Sequence, residues 1–129
     1  YADANGSVSN RDKLITQLVS VVKAQLGKPY VYGAAGPNAF DCSGLVQYAY
    51  KQIGIALPRT TSGQQNVGTA ISLSSVQVGD LLFWGNYGSP YHVAIYVGNG
   101  QVIMAPKTNT VIRAEAMSDW MPTFARRVL

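Results

Sequence analysis

The hydrophobic period of this chain changes once, near Gly79, and that change limits what it can fold into. Before it, apolar residues recur at three- and four-residue steps. Leu14, Leu18, Val21, Val22 and Leu26 form one stripe in "RDKLITQLVSVVKAQL", a spacing that predicts an amphipathic helix. Asn10 stands where an N-cap belongs; Gly27 is placed to end the helix and Pro29 to prevent its return. Leu45, Val46, Ala49, Tyr50 and Ile53 form a second stripe in "SGLVQYAYKQIG", with Asp41 as its cap and Gly54 as its close. "LPRTTSGQQNVG" predicts a short helix started by Thr60 or Thr61. After Gly79 come short strands, "DLLFW", "YHVAIYVG", "QVIMA" and "TVIRAEA", and "TFARRVL" offers a last one. The turn signals between them are "GNYGSP", "GNG" and "PKTN". Helices first and an antiparallel meander afterwards is an α+β order, not alternating α/β.

Composition narrows the function classes. The 129 residues suffice for one compact domain, and 47% hydrophobic against 12% charged residues argues against disorder. Residues 1–10, "YADANGSVSN", read as the end of a linker, with the folded domain at 11–129. The chain opens at Tyr1 without an initiator methionine or a signal-peptide pattern, so it reads as a processed or excised piece of a longer protein. No apolar run approaches the roughly 20 residues of a membrane span. One cysteine excludes an internal disulfide, and one cysteine with one histidine cannot complete a structural zinc site. No metal and no cofactor are expected. The net charge is +4, but the cations are scattered and only Arg126 and Arg127 are adjacent. A nucleic-acid surface would cluster them. A mildly basic surface suits an anionic environment such as a bacterial wall.

The chemistry lies in "FDCSGLVQYAY", where Cys42 falls at the start of the second helix. A thiol attacks only as the thiolate. Free N–H groups and the helix dipole favour negative charge there, and the same groups can hold an oxyanion. Gly44 would let another chain approach closely. A cysteine nucleophile needs a base, and His92 is the one histidine. Strand alternation sets His92, Ala94 and Tyr96 on one side and the core-facing Val93, Ile95 and Val97 on the other, so His92 could point toward Cys42. A lone cysteine is more often a buried hydrophobe than a nucleophile, and a lone histidine more often a surface residue. The residues alone leave both readings open.

The ordered set "GKPYVYGAAGPNAFDCSGLVQYAY", "LPRTTSGQ", "VGDLLFW" and "HVAIYVGNGQVIMAP" resembles the NlpC/p60 family of bacterial cell-wall cysteine peptidases, over about Leu14 to Arg113. The resemblance implies a papain-like fold, with N-terminal helices packed on a small antiparallel sheet. It implies Cys42 as nucleophile and His92 as base. It also implies cleavage of peptidoglycan stem peptides, between D-γ-glutamate and the diamino acid, through a thioester. Tyr30 matches a tyrosine near the nucleophile that can hold the oxyanion. Asp41 and Ser43 match positions that grip the free amine of the stem peptide, and Arg59 matches a pocket-lining arginine. Trp84 and Tyr91 could wall the groove, although for Trp84 core packing fits equally well. A secreted, wall-located monomer acting on stem peptides, without nucleic acid, is the expected setting.

One position departs from the family pattern. The family orients its histidine with a third polar residue on the strand after "GNG", and here that position is Met104. A thioether is at most a weak acceptor. A backbone carbonyl, a water, Asn109 or Gln101 could substitute, or the chain could be a weakened member of the family. Two rivals therefore stand beside the endopeptidase: an amidase cutting between muramic acid and L-alanine, and a non-catalytic wall-binding module.

Overall fold

A computed structural model describes residues 10–129. The helices are α1 (Asn10–Lys23), α2 (Cys42–Gln52) and α3 (Thr61–Gln64). The strands are β1 (Thr69–Ile71), β2 (Leu81–Trp84), β3 (His92–Gly98), β4 (Gln101–Met104), β5 (Arg113–Ala116) and β6 (Phe124–Arg127). The fold is α+β, with all six strands in one antiparallel sheet of order β1-β6-β2-β3-β4-β5. The proposed linker end lies outside the described residues except for Asn10, which opens α1 instead of capping it.

α1 stops at Lys23, three residues short of Leu26. The chain tightens there into three-residue hydrogen bonds, Gln25 N to Val22 O and Leu26 N to Lys23 O. Gly27 then turns at φ +88°, with its N–H on the Ile112 carbonyl. Once the α period is lost, the stripe no longer faces the core, and Leu26 is 43% exposed. α2 follows its sequence signals closely. Asp41 caps it with a 2.7 Å bond from Gly44 N to Oδ1, and Leu45 N to Asp41 O (2.9 Å) is the first internal helix bond. Thr60 caps α3 in the same way, accepting from Gly63 N at 3.1 Å.

The sheet is a meander only in part. β2 to β5 pair in chain order, but β6 returns to the far side of β2, and β1 closes the edge beyond it. Arg127 pins this return with a pair of bonds to Asp80, at 3.0 and 2.9 Å. The sheet has a core on each face. On one face, Leu45, Val46 and Ala49 of α2 pack with Phe83, Val93, Ile95 and Ile103. On the other lie Leu82, Trp84, Ala94, Val102, Met104 and Ala125. The Tyr50 hydroxyl donates to the Gly79 carbonyl and ties α2 to the segment leading into β2.

Candidate active site

The N-terminus of α2 opens into a groove of about 520 Å³. Tyr30, Asp41, Cys42, Ser43, Arg59 and Tyr91 line it, together with Thr61. Six of the nine residues expected at a site from the sequence thus meet on one concave surface. The exceptions are Trp84, His92 and Met104, which pack behind it.

Asp41 organises one wall. Its Oδ1 accepts from Gly44 N and from Arg59 (3.1 Å), and its Oδ2 accepts from Gly33 N and Arg59, both at 2.9 Å. Arg59 also donates to Ser43 Oγ at 2.9 Å. Burial pushes the Asp41 carboxyl up, but the bonds from Arg59 and from the Gly44 and Gly33 amides outweigh it, and the pKa lies below the ordinary value. The carboxylate expected to grip a substrate amine is therefore already clamped, as helix cap and as ion-pair partner. Gln64 Nε2 binds the Ser43 and Pro58 carbonyls, so α3 and the Arg59 segment are held to α2.

Gly44 has a different reason from the one its sequence position suggested. A Cβ there would sit 2.1 Å from the Ala34 carbonyl oxygen. The chain that approaches closely is the protein's own loop, not a substrate. Asp41 N donates to that same carbonyl at 2.8 Å, which seats the loop carrying Tyr30 against the start of α2 at Cys42. The Tyr30 phenol is pushed above its ordinary pKa, first by burial and then by the charges of Cys42 and Asp41, as expected of a hydroxyl beside the thiol.

Cys42 is half-buried and free. Its sulfur lies 3.6 Å from Thr61 Oγ1. Sequence reasoning named Thr61 only as a possible start of α3 and not as a site residue, although it stands two residues after Arg59 in a motif already selected. Cys42 packs on the helix-side core. His92 pairs with Trp84 across β2 and β3 and so shares the other face of the sheet. Thiol and imidazole belong to different packing layers, and no hydrogen bond joins them.

The imidazole stacks on the Trp120 ring at 5.1 Å and 22°, and lies 5.0 Å from the Trp84 ring at 56°. It is 3% exposed, and its Nε2 is buried without a hydrogen-bond partner. Burial lowers its pKa to about 4. Trp84 is not a groove wall. It is 1% exposed, because it fills the sheet face behind His92, and its Nε1 donates to the Trp120 carbonyl at 3.2 Å. Met104 is fully buried on that face. Neither Gln101, at the start of β4, nor the exposed turn residue Asn109 bonds to the ring. No sequence signal pointed to Trp120. Among the described residues no three His, Cys, Asp or Glu side chains cluster as a metal site, and no helix is long and apolar enough to cross a membrane.

Comparison with known proteins places this arrangement. The NlpC/P60 family model matches residues 27–128. A Corynebacterium glutamicum (strain R) protein named "Probable endopeptidase" is 42% identical over 105 residues, covering 81% of this chain and 48% of the relative. "Protein P54" of Enterococcus faecium is 41% identical over 109 residues, covering 84% and 21%. The chain thus spans about half the length of the first and a fifth of the second. The crystal structure of the NlpC/p60 domain of the peptidoglycan hydrolase SagA superposes with a TM-score of 0.84 at 39% identity, covering 88% of this chain and 97% of that one. This chain belongs to the NlpC/P60 family.

Proposed function

We propose that residues 11–129 form the catalytic domain of a secreted bacterial cell-wall hydrolase that cuts peptidoglycan stem peptides, at the bond between D-γ-glutamate and the diamino acid. The observation that carries this reading is the Cys42 thiol at the open N-terminus of α2, in a groove shared with Tyr30, Ser43 and Arg59. The capping of Gly44 leaves the N–H groups of Cys42 and Ser43 ahead of the helix's first internal donor, Leu45. Names of relatives that include "endopeptidase" and "peptidoglycan hydrolase" support the substrate class.

The chemistry is acyl transfer. The thiol proton passes to His92, directly or through one water, and the thiolate adds to the peptide carbonyl carbon. The oxyanion is held by the Cys42 N–H and the Tyr30 hydroxyl. The C–N bond then breaks, the leaving amine takes the proton from His92, and a thioester remains. Water attacks the thioester as His92 accepts its proton, and that proton returns to sulfur as the acid departs. A ring with its pKa lowered to about 4 is neutral at physiological pH, and as a weakened base it takes the thiol proton only in concert with attack on the carbonyl.

A second reading is favoured by one observation, the partnerless Nε2 of His92 on the sheet face that also holds Met104: a wall-binding module without hydrolytic activity. Incubation with defined muropeptides and mass spectrometry of the products separates the two. Wild-type protein should release the diamino-acid fragment, and Cys42→Ala and His92→Ala should not. Hydrolysis unchanged in Cys42→Ala sinks the proposal. Release of intact stem peptide from muramic acid would make the enzyme an amidase. Sedimentation with peptidoglycan in the absence of any cleavage would leave the binding module.

A further inference from the structure

We propose that Trp120 is the positioning residue of His92, doing by ring stacking what a third polar side chain would otherwise do. The inference rests on the reading of His92 as the base. Trp120 follows the 3₁₀ turn Met117–Asp119, and its N–H donates to the Met117 carbonyl at 3.2 Å. Two further bonds seat this segment at the end of β2: Trp84 Nε1 to Trp120 O, and Thr123 N to the Phe83 carbonyl at 2.7 Å. The backbone of this segment is thus tied to the sheet, and the partly exposed indole lies between the ring of Trp84 and, at 6.5 Å, that of the groove residue Tyr91. Its ring lies 4.7 Å from that of Trp84, so His92 meets two indoles that also pack on each other.

An imidazole needs a defined plane, a defined nitrogen toward the thiol, and support for the charge it gains. Near-parallel stacking at 22° on Trp120 sets the plane. Nε2 is buried among the indoles without a partner, so of the two ring nitrogens Nδ1 is the one left for proton exchange with the thiol in the proposed reaction. The indole face stabilises the imidazolium that forms when the thiol proton arrives, since a cation over tryptophan within about 6 Å is attracted by the ring quadrupole. Met104, at the place of the absent polar partner, supplies none of these.

The test uses Trp120→Leu, which keeps apolar bulk without a π-face, and Trp120→Phe, which restores the face. The native and Met104→Gln backgrounds are compared. Expected in the native background is a fall of roughly tenfold in kcat for Trp120→Leu, with KM little changed and most of the loss restored by Trp120→Phe. In the Met104→Gln background a side-chain amide can bond the ring, and there Trp120→Leu should cost less than about twofold. His92 is the one histidine, so its Hε1 proton gives a single NMR signal. That signal should be shifted upfield by the indole in wild type and Trp120→Phe, and should return downfield in Trp120→Leu. Equal kcat losses in both backgrounds, no upfield shift in wild type, or a shift unmoved by Trp120→Leu overturns the proposal. The NMR arm needs no turnover. Inactivity of the wild type, or full activity of His92→Ala, would defeat the catalytic reading and leave the spectrum to decide whether Trp120 holds the ring.

Discussion

Arg59 meets Asp41 end-on, with Nη1 3.1 Å from Oδ1 and Nη2 2.9 Å from Oδ2. The pair joins the cap of α2, the helix that begins at Cys42, to the segment that starts α3, so groove geometry and helix stability depend on one contact. Two-point contact of this kind is specific to arginine.

Arg59→Ala should therefore destabilise the fold by about 1–2 kcal/mol, because a largely buried carboxylate loses its countercharge. The Asp41 pKa is lowered in the folded state, so its contribution is present above the unfolded value of 3.8 and is lost as pH falls through the lower folded value. In Arg59→Ala that acid limb should move to higher pH. Urea unfolding between pH 2 and pH 6 measures it; identical limbs in both proteins would contradict the assignment.

Gly44→Ala should cost about 2–3 kcal/mol or more, since the new methyl meets a backbone carbonyl at 2.1 Å that cannot rotate away. Relief must come from moving the Ala34 loop or the first turn of α2, and either displaces Cys42 from Tyr30. Activity should fall further than the folded fraction accounts for. Denaturant midpoints and hydrolysis rates on the same samples make the comparison.

His92 gives a pH signature with the sign of a buried neutral base. Its pKa falls from 6.5 unfolded to about 4 folded, so between these values the unfolded chain binds more protons. Stability should rise with pH across that window, be complete above it, and be lost as pH falls toward about 4, by at most about 3 kcal/mol. His92→Phe should flatten that part of the profile in urea titrations. A wild type whose stability is flat from pH 4 to 6.5 would show that the ring is not buried as described.

Met104→Gln supplies a donor and an acceptor of nearly methionine's size on the face that holds the partnerless Nε2. The new bond should offset most of the cost of burying an amide, keeping the melting temperature within a few degrees, and kcat should rise on the order of tenfold. Steady-state kinetics on a stem-peptide substrate decides it; a drop in kcat would mean that the ring is better held without a polar partner.

Thiol alkylation should abolish hydrolysis while chelators leave it unchanged, because the proposed steps use only sulfur, imidazole and water. Iodoacetamide and EDTA treatment before a muropeptide assay tests both halves, and strong inhibition by EDTA would overturn the metal-free route.

Local rules accounted for much of this protein. The Asp41 and Thr60 caps, the apolar stripe of α2, the alternation around Val93 and Ile95, and the glycines that end segments all depend on neighbours within one turn or one strand. Those neighbours are written in sequence. The motifs around Cys42 and His92 likewise carried the family. What local pattern could not carry were contacts between residues far apart in the chain. β6 crosses to β2 instead of extending the meander past β5, and that return brings Trp120 onto His92. The Ala34 carbonyl claims the space at Gly44 that the sequence left open for a substrate. Trp84 and Met104 look alike as apolar strand residues, and only the second core on the far face of the sheet sets Trp84 against the histidine and Met104 on the same face. Hydrophobic periodicity records which side of an element is buried, but not what buries it. The partner is chosen by the packing of all six strands at once, and that choice gave His92 aromatic rings for neighbours.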